Sequence, residues 1–435
     1  MNIYETIIEK ANAVTPEMVA VRRDFHKFAE TGWLEMRTSS IIARKLTELG
    51  FEVLVGEDVC KREERMGLPS EEILKKEYER AVEQGADREF VKATKGGFTG
   101  VIGILRCGEG PTVAMRFDID ALGVVEAMED THRPAKEGFA SVNAGSMHAC
   151  GHDGHGASGL GVAAVLMEIK EHLHGTIKLI FQPGEEGLRG AKSIVANGHL
   201  DDVDYLFGCH TTDVLSDGAD ITPGSYGSLA SYKYDVTFRG LAAHAGGSPH
   251  LGKNALLAAA CAVTNLYAIP RHADGATRIN VGKLIGGSGR NVIADEAFME
   301  LEVRGDTTDI NEYVSDYALR VLESAAKMHD CTVDVKLMGA AESLNSDLPL
   351  CEHISKVCSE HLDMKVSENL TVKLGGSEDF SYMINKVQSN GGQGSFVRVR
   401  SKLADKAHKR TFDFDESYLT KTVKVLCGMA YDILK

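Results

Sequence analysis

The stretch HACGHDGH, residues 148–155, places three histidines, one cysteine and one aspartate within eight residues. Thiolate and imidazole are strong ligands for zinc and related transition metals, so Cys150 and His152 are candidate metal ligands. Two ligands separated by one glycine cannot complete a coordination shell, and the other ligands must come from distant segments. The alternative chemistry is a Cys150 nucleophile activated by His152, because a neighbouring histidine favours the thiolate. An extended segment would direct these two side chains to opposite sides, which disfavours the nucleophile pair.

Distant segments supply further ligand types. PGEEG contains the adjacent Glu185 and Glu186, GCHTTD contains His210, and AHKRTFDFDE near the carboxyl terminus contains His408. Adjacent glutamates make chemical sense if one binds a metal ion while the other accepts a proton from the attacking water. Each of these residues alone is more often structural or simply solvated. Their joint occurrence favours a metal centre over a cysteine nucleophile, which would leave the carboxylate pair unexplained.

The elements that must position these residues are short buried strands. TVAMRF (112–117), TIKLIF (176–181) and YLFGC (205–209) are apolar runs of strand length, and a polar cluster follows each one. A segment rich in small residues, 156–173, separates two of them and has a helical composition. Alternating strands and helices predict an α/β fold with a mainly parallel sheet flanked by helices. In such sheets the ligand site lies beyond the carboxyl ends of the strands.

Two amphipathic helices are predicted near the amino terminus. In RTSSIIARKLTELGF (37–51) a serine precedes the apolar stripe and Gly50 follows it. In PSEEILKKEYERAVEQGA (69–86) Ser70 is the expected cap and Gly85 the expected end.

From about residue 225 the pattern changes to alternating, half-buried strands. The predicted order is β-α-β-β-α-β, which is typical of a ferredoxin-like α+β unit. We therefore expect an inserted domain at 225–338 between two parts of a catalytic domain, 1–224 and 339–435. The predicted strands of the insertion are 231–238, 277–285, 297–304 and 332–337, and its helices are 254–269 and 309–328.

The composition of the chain indicates which class of partner it binds and in which cellular compartment it is expected. The formal net charge of −15 over 435 residues disfavours nucleic acid as a partner. No apolar run is long enough for a membrane span, and the amino terminus lacks the pattern of a signal peptide. Nine cysteines without a repeating spacing indicate reduced thiols. We therefore expect a cytoplasmic protein that acts on a small molecule.

Five segments, MHACGHDGH, FQPGEEG, GCHT, GLAAHAG and GGSGRNVI, occur in the order expected of the M20 family of metallopeptidases and amidohydrolases. They resemble the branch that holds aminoacylases, hippurate hydrolases and auxin-conjugate hydrolases. The resemblance implies a zinc-peptidase-like fold, two divalent metal ions per chain, Mn or Zn, and Glu185 as the general base. It also implies that the metal ligands are Cys150, His152, Glu186, His210 and His408.

The same resemblance suggests roles for four more residues. Asp120 would orient a ligand histidine, although it could equally cap a strand end. His244 would reach a neighbouring subunit's active site and stabilise the oxyanion, the alternative being an ordinary turn histidine. Asn291 and Arg304 would bind the substrate carboxylate, and a surface ion pair is the alternative for Arg304.

The activity that the resemblance implies is hydrolysis of the amide bond of an N-acyl amino acid, most specifically p-aminobenzoyl-glutamate. One alternative is a general N-acyl-amino-acid or hippurate-type hydrolase. Another is a metal-binding partner subunit whose own centre is idle. Members of this family commonly dimerise through the inserted domain, which also acts as a lid, so either a homodimer or a heteromer with a sister subunit is expected.

Overall fold

A computed structural model describes residues 2–213 and 218–435. The chain folds into two compact units. The first contains the residues up to Tyr226 together with Leu344–Lys373 and Asp379–Lys435, and the second contains Gly227–Ser343 and Leu374–Glu378. None of the described helices combines the length and the apolar character that crossing a bilayer requires.

The first unit is α/β and the second is α+β. Before residue 227 the elements are α1 (Ile3–Ala13), α2 (Thr15–Lys27), α3 (Met36–Leu49), β1 (Glu52–Val55), α4 (Glu71–Glu83), β2 (Val101–Arg106), β3 (Thr112–Asp118), α5 (Arg133–Lys136), α6 (His152–Ile169), β4 (Thr176–Gln182), α7 (Ala191–Ala196), β5 (Tyr205–Thr212), β6 (Ile221–Thr222) and β7 (Gly224–Tyr226). The second unit contains β8 (Ala230–Arg239), α8 (Ala255–Tyr267), β9 (Thr277–Gly286), β10 (Glu296–Gly305), α9 (Thr308–Met328) and β11 (Thr332–Ala341). The first unit then resumes with α10 (Leu348–His361), β12 (Thr371–Lys373), α11 (Phe380–Ser389), β13 (Gln393–Arg400) and α12 (Ser417–Leu434).

The main sheet of the first unit has seven strands in the order β1-β2-β4-β3-β5-β13-β6. Its four central strands, β4, β3, β5 and β13, run parallel, whereas the outer strands pair antiparallel. The predicted mixed, mainly parallel sheet flanked by helices is therefore confirmed. Because β3, β4 and β5 are parallel, their carboxyl ends meet at one edge, and the polar clusters that follow them are brought together there.

Helix α6 packs closely on this sheet because it is rich in glycine. A Cβ added at Gly159 would lie 2.6 Å from the ring of Phe181 and 2.8 Å from the ring of Phe117, so only glycine allows this approach. The helix begins at His152, four residues before the predicted segment. Gly151 precedes it with a φ of +94°, and this left-handed residue turns the chain sharply into the helix.

The beginning of α3 differs from the prediction. The sequence suggests a serine cap, but the helix begins one turn earlier, at Met36, so that Ser39 and Ser40 lie inside it. The carboxylate of Glu30 accepts hydrogen bonds from the backbone amides of Arg37 and Thr38, each at 2.9 Å, and satisfies the first turn instead. A buried carboxylate seven and eight residues away from these two amides thus replaces a local cap.

The cap predicted for α4 is present. Ser70 accepts a hydrogen bond from the amide of Ile73, and Gly85 follows the helix with a φ of +90°.

The second unit is a four-stranded antiparallel sheet with the order β11-β8-β10-β9 and two helices, α8 and α9. Its core is formed by alternate residues of the strands and by the apolar faces of the helices, with Val236, Phe238 and Met299 fully buried. The chain order β-α-β-β-α-β is that of a ferredoxin-like unit. Among the described residues β9 pairs with β10 alone, so it is an edge strand.

Candidate metal centre

The turn at Gly151 brings Cys150 and His152 to the same place. The expectation that these two side chains point to opposite sides of an extended segment is wrong, because Gly151 is left-handed and His152 already belongs to α6. Cys150 Sγ lies 3.4 Å from Nε2 of His210 at the end of β5. The ligand atoms of Cys150, His152 and His210 all lie within 4.8 Å of one another.

His152 is oriented as a metal ligand would be. Its Nδ1 donates to the backbone carbonyl of Asp120 at 2.9 Å, which leaves a lone pair on Nε2. In the described parts of the chain no hydrogen-bond partner satisfies this buried Nε2, and Oε2 of Glu185 lies 3.9 Å away. A buried polar atom without a partner costs free energy unless a ligand satisfies it. This orphaned nitrogen fits a metal ion.

His210 has the same kind of support. Its Nδ1 donates to the carbonyl of Thr211 at 2.8 Å, so Nε2 carries the lone pair that faces Cys150. Burial, together with the positive charge of Arg398, lowers the pKa of His210 well below its usual value. The imidazole is therefore neutral, as metal coordination requires.

The loop after β4 carries the two glutamates. The backbone amides of Glu185 and Glu186 donate to the two carboxylate oxygens of Asp120, at 3.0 and 2.9 Å. Gly184 and Gly187 both have positive φ, +60° and +93°, which allows the tight turn. The ligand atoms of His152, Glu185 and Glu186 also lie within 4.8 Å of one another. Asp120 therefore supports both the candidate ligand His152 and the glutamate loop.

His408 comes from the segment after β13 and has a φ of +68°. Its amide donates to the carbonyl of Ala149 at 2.7 Å, and its Nε2 lies 3.4 Å from Oε1 of Glu186. The neighbouring Cys150 and Glu186 raise the pKa of the His408 imidazole to about 10. A metal ion bound there would replace this proton.

These side chains form overlapping groups rather than one. Cys150 belongs both to the group with His152 and His210 and to a group with Glu186 and His408. The third group, with His152, Glu185 and Glu186, shares members with both. Shared ligands are what two neighbouring metal ions require. The donor set of one thiol, three imidazoles and carboxylates suits Zn²⁺ and admits Mn²⁺.

Two buried residues beside this centre, Asp118 and His155, are not among the predicted site residues. Nδ1 of His155 pairs with Oδ1 of Asp118, and the His155 ring lies 4.8 Å from the ring of His210. Although burial opposes ionisation, Arg116 and the neighbouring histidines hold the pKa of Asp118 well below its usual range. Both residues lie inside recognisable motifs, FDID and HDGH, but only the fold shows that they face each other.

The three remaining predicted site residues belong to the second unit. His244 is exposed, and its Nδ1 accepts hydrogen bonds from the amides of Gly246 and Gly247, at 3.1 and 2.9 Å. Asn291 is also exposed. It is near His244, because the next residue, Val292, forms a β-bridge with His244. Arg304 makes a two-pronged ion pair with Glu302 on its own strand, both contacts at 3.0 Å. The ion pair considered as the alternative for Arg304 is thus present.

Comparisons with known proteins identify the family of the chain. A profile of the peptidase family M20/M25/M40 matches residues 114–432. The chain is 43% identical over 427 residues to one of the subunits of p-aminobenzoyl-glutamate hydrolase from Escherichia coli K12, covering 98% of each chain. It is also 43% identical over 419 residues to indole-3-acetyl-aspartic acid hydrolase of Enterobacter agglomerans, covering 96% of each.

Solved structures show the same fold. The aminobenzoyl-glutamate utilization protein of Klebsiella pneumoniae superposes with a TM-score of 0.83 at 37% identity, over 98% of this chain and 97% of that one. A dinuclear metal binding peptidase of the M20 family from Bacillus subtilis superposes with a TM-score of 0.66 at 25% identity, over 97% of this chain and 99% of that one.

Proposed function

Since the chain belongs to the peptidase family M20/M25/M40 and is a metal-dependent hydrolase of amide bonds, we propose that it cleaves p-aminobenzoyl-glutamate to p-aminobenzoate and glutamate. The observation that carries the proposal is the convergence of candidate ligand side chains from four segments of the chain, in overlapping groups that share Cys150, His152 and Glu186. We assign the metal ligands as Cys150, His152, Glu186, His210 and His408.

Glu185 is proposed as the general base. Its backbone amide is held by Asp120, and its carboxylate lies beside the unpaired Nε2 of His152. It accepts a proton from the attacking water and passes it to the nitrogen of the leaving amine. Divalent metal ions held by the five ligands would act as Lewis acids and make water a nucleophile near neutral pH. Two such ions per chain, Zn or Mn, agree with the donor set.

The substrate class follows from two of the relatives. Their names describe hydrolases of an aromatic acyl group joined to glutamate or to aspartic acid. We therefore propose an aromatic acyl conjugate of an acidic amino acid, with Asn291 and Arg304 binding its carboxylate and His244 stabilising the oxyanion. Arg304 would exchange its Glu302 partner for the substrate, or share it. A general N-acyl-amino-acid hydrolase is the alternative within the same chemistry.

The test is hydrolysis by the purified chain after chelation and after adding back Mn²⁺ or Zn²⁺. We expect the added metal to restore cleavage of p-aminobenzoyl-glutamate. We also expect a higher kcat/KM for this substrate than for hippurate or N-acetyl amino acids. Equal kcat/KM values would support the general hydrolase instead. Turnover that resists chelation but stops when Cys150 is alkylated would establish the cysteine nucleophile. Turnover only after addition of a sister subunit would support an idle centre in this chain.

Residues 225–338 are proposed as an inserted lid and dimerisation domain. The edge strand β9 and the adjacent α8 expose large apolar side chains, among them Leu257, Leu284 and Ile285, which are 51%, 38% and 57% exposed. An open, apolar strand edge is suited to pairing with another chain. The partner is either a second copy or a sister subunit, since the relative from Escherichia coli is named as one subunit of a hydrolase. A cytoplasmic location agrees with nine free cysteines.

The assembly is tested by light scattering. We expect a mass above that of one chain, and we expect Ile285→Glu to reduce it to one chain by placing a charge on the apolar edge. Thr332→Glu, an exposed change at the beginning of the opposite edge strand β11, is the matched control. A single-chain mass for the wild type at micromolar concentration would contradict a homodimer.

A further inference from the structure

Three buried carboxylates hold the connection between β4 and α7, which contains the 184–187 loop with Glu185 and Glu186. Asp120 accepts the amides of Glu185 and Glu186 in the middle of the loop. Asp379 accepts the amides of Gly190 and Ala191 at the far end of the connection, at 3.1 and 3.0 Å. The amide of Gly184, where the loop begins, donates to Glu35 Oε1 at 2.8 Å. Glu35 comes from neither the sheet nor any segment that sequence analysis connected with the centre.

The side chain of Glu35 does not cap the helix that follows it. Glu35 is the N-cap residue of α3, yet its side chain makes no capping hydrogen bond. Glu30 satisfies the first turn of that helix instead. The Glu35 carboxylate is fully buried, and its second oxygen accepts from the hydroxyl of Thr99 at 2.6 Å. The hydrogen bond from Thr99 to Oε2 thereby orients the carboxylate, and Oε1 faces the amide of Gly184.

The segment before Glu35 packs tightly on the same point of the loop. A Cβ added at Gly32 would lie only 3.1 Å from Cα of Gly184. Trp33 is fully buried with a φ of +68°, an uncommon conformation for a bulky residue, and its Nε1 donates to the carbonyl of Met66 at 2.7 Å. Backbone strain of this kind persists only where the surroundings impose it, and it is concentrated near functional sites.

Burial of Glu35 is not free of cost. Burial and the nearby Asp120 raise the pKa of Glu35 well above its usual value. Two buried carboxylates side by side destabilise each other when both are ionised, so a role in stability alone accounts poorly for Glu35. The geometry offers a better reason, because the two residues accept three consecutive amides, those of Gly184, Glu185 and Glu186.

We propose that Glu35 is a positioning residue that fixes the beginning of the 184–187 loop, so that Glu186 reaches the metal centre and Glu185 reaches the attacking water. The inference rests on the proposed function, because it assigns Glu35 to the same centre. It acts through the loop backbone, and its carboxylate touches neither substrate nor the reacting atoms.

The test compares Glu35→Ala, which removes the acceptor for Gly184, with Glu35→Gln, whose side-chain carbonyl can still accept that amide. Glu30→Ala is the matched control, because Glu30 is also a buried carboxylate that accepts backbone amides, but those of Arg37 and Thr38 in α3. Zn²⁺ affinity is measured by competition with a chromophoric chelator, and kcat and KM are measured separately. Glu35→Ala should weaken Zn²⁺ binding by about 10- to 100-fold and lower kcat more than it changes KM.

Glu35→Gln should restore most of both quantities, and Glu30→Ala should lower the unfolding temperature while leaving Zn²⁺ affinity close to that of the wild type. Unchanged affinity and kcat in Glu35→Ala, or an equal loss of Zn²⁺ affinity in Glu30→Ala, would overturn the inference. Should Glu35→Ala not fold, Gly32→Ala pushes on Gly184 from the same side and must weaken Zn²⁺ binding. A wild-type chain that binds no Zn²⁺ and cleaves no amide would instead refute the proposed function, and the inference with it.

Discussion

The predicted site residues of the two units differ in how completely the protein itself holds them. In the first unit most of them are buried, although His408 is exposed, and Asp120 fixes both the ring of His152 and the glutamate loop. In the second unit His244 and Asn291 are exposed, and Arg304 is paired with Glu302. The protein itself therefore organises the candidate metal centre before any substrate arrives.

This difference in burial and support corresponds to two proposed roles: metal binding and proton transfer in the first unit, and substrate binding in the second. Metal ligands and a general base need accurate placement, and burial with hydrogen-bonded support provides it. Groups that bind a carboxylate or a developing oxyanion gain their partner only when substrate or another chain is present. Substitutions of the assigned metal ligands in the first unit should therefore weaken metal binding, whereas substitutions of the predicted site residues in the second unit should leave metal binding intact.

The largest effect is expected for Glu185→Gln. The amide cannot take a proton from water, so kcat should fall by about 10²- to 10⁴-fold, the usual contribution of a general base. Metal content, measured by atomic emission after dialysis, should stay at the wild-type level, because Glu186 is the assigned ligand. Substantial activity in this variant would remove Glu185 from the mechanism.

A smaller loss is expected for His244→Ala. Nδ1 of His244 accepts two backbone amides, so the proton resides on Nε2, which is a hydrogen-bond donor. Removing one oxyanion donor lowers kcat by about 10²- to 10³-fold. Zn²⁺ affinity should not change, because His244 is not one of the assigned metal ligands. His250→Ala, an exposed histidine of the same loop region, is the control and should behave like the wild type.

Arg304→Ala should act mainly on KM. Loss of a charged hydrogen bond to the substrate carboxylate should raise KM for p-aminobenzoyl-glutamate by about 10- to 100-fold. The matched control is Arg278→Ala, because Arg278 lies opposite Arg304 on β9 and donates only to the carbonyl of Thr277 among its described hydrogen bonds. Equal KM values in both variants would show that Arg304 is only the partner of Glu302.

The smallest effect concerns stability and tests the cost of burying carboxylates in the first unit. Burial raises the pKa of Glu30 from 4.5 to about 7. The folded protein therefore binds more protons than the unfolded chain between these values, and its free energy of unfolding falls as pH rises through them. Relative to Glu30→Gln, the wild type should lose up to about 3 kcal/mol from pH 4.5 to pH 7. Denaturant unfolding curves that keep a constant difference over this range would contradict the assignment.

The strands that carry the centre were predictable because a short apolar run followed by a polar cluster is typical of a buried strand that ends at a site. The predicted 112–117, 176–181 and 205–209 correspond to β3, β4 and β5 within a few residues. A mixed sheet was predicted, but not that β1, β2 and β6 are its antiparallel-paired outer strands, since strand direction depends on which neighbour a strand meets. The predicted start of α3 was also wrong, because its first turn is satisfied by Glu30 across a loop rather than by a local serine.

The sequence by itself determined the chemistry that is available: one cysteine, the histidines and the paired glutamates, in an order that resembles a family of metal-dependent hydrolases. Only the tertiary structure decided which of them meet. The left-handed Gly151 turns Cys150 and His152 to one side, and the parallel strands bring Glu186 and His210 to the same edge. The pairing of Asp118 with His155, and of Glu35 with the amide of Gly184, joins residues far apart in the chain. Local spacing carries no signal for such contacts, because they depend on how separate elements pack.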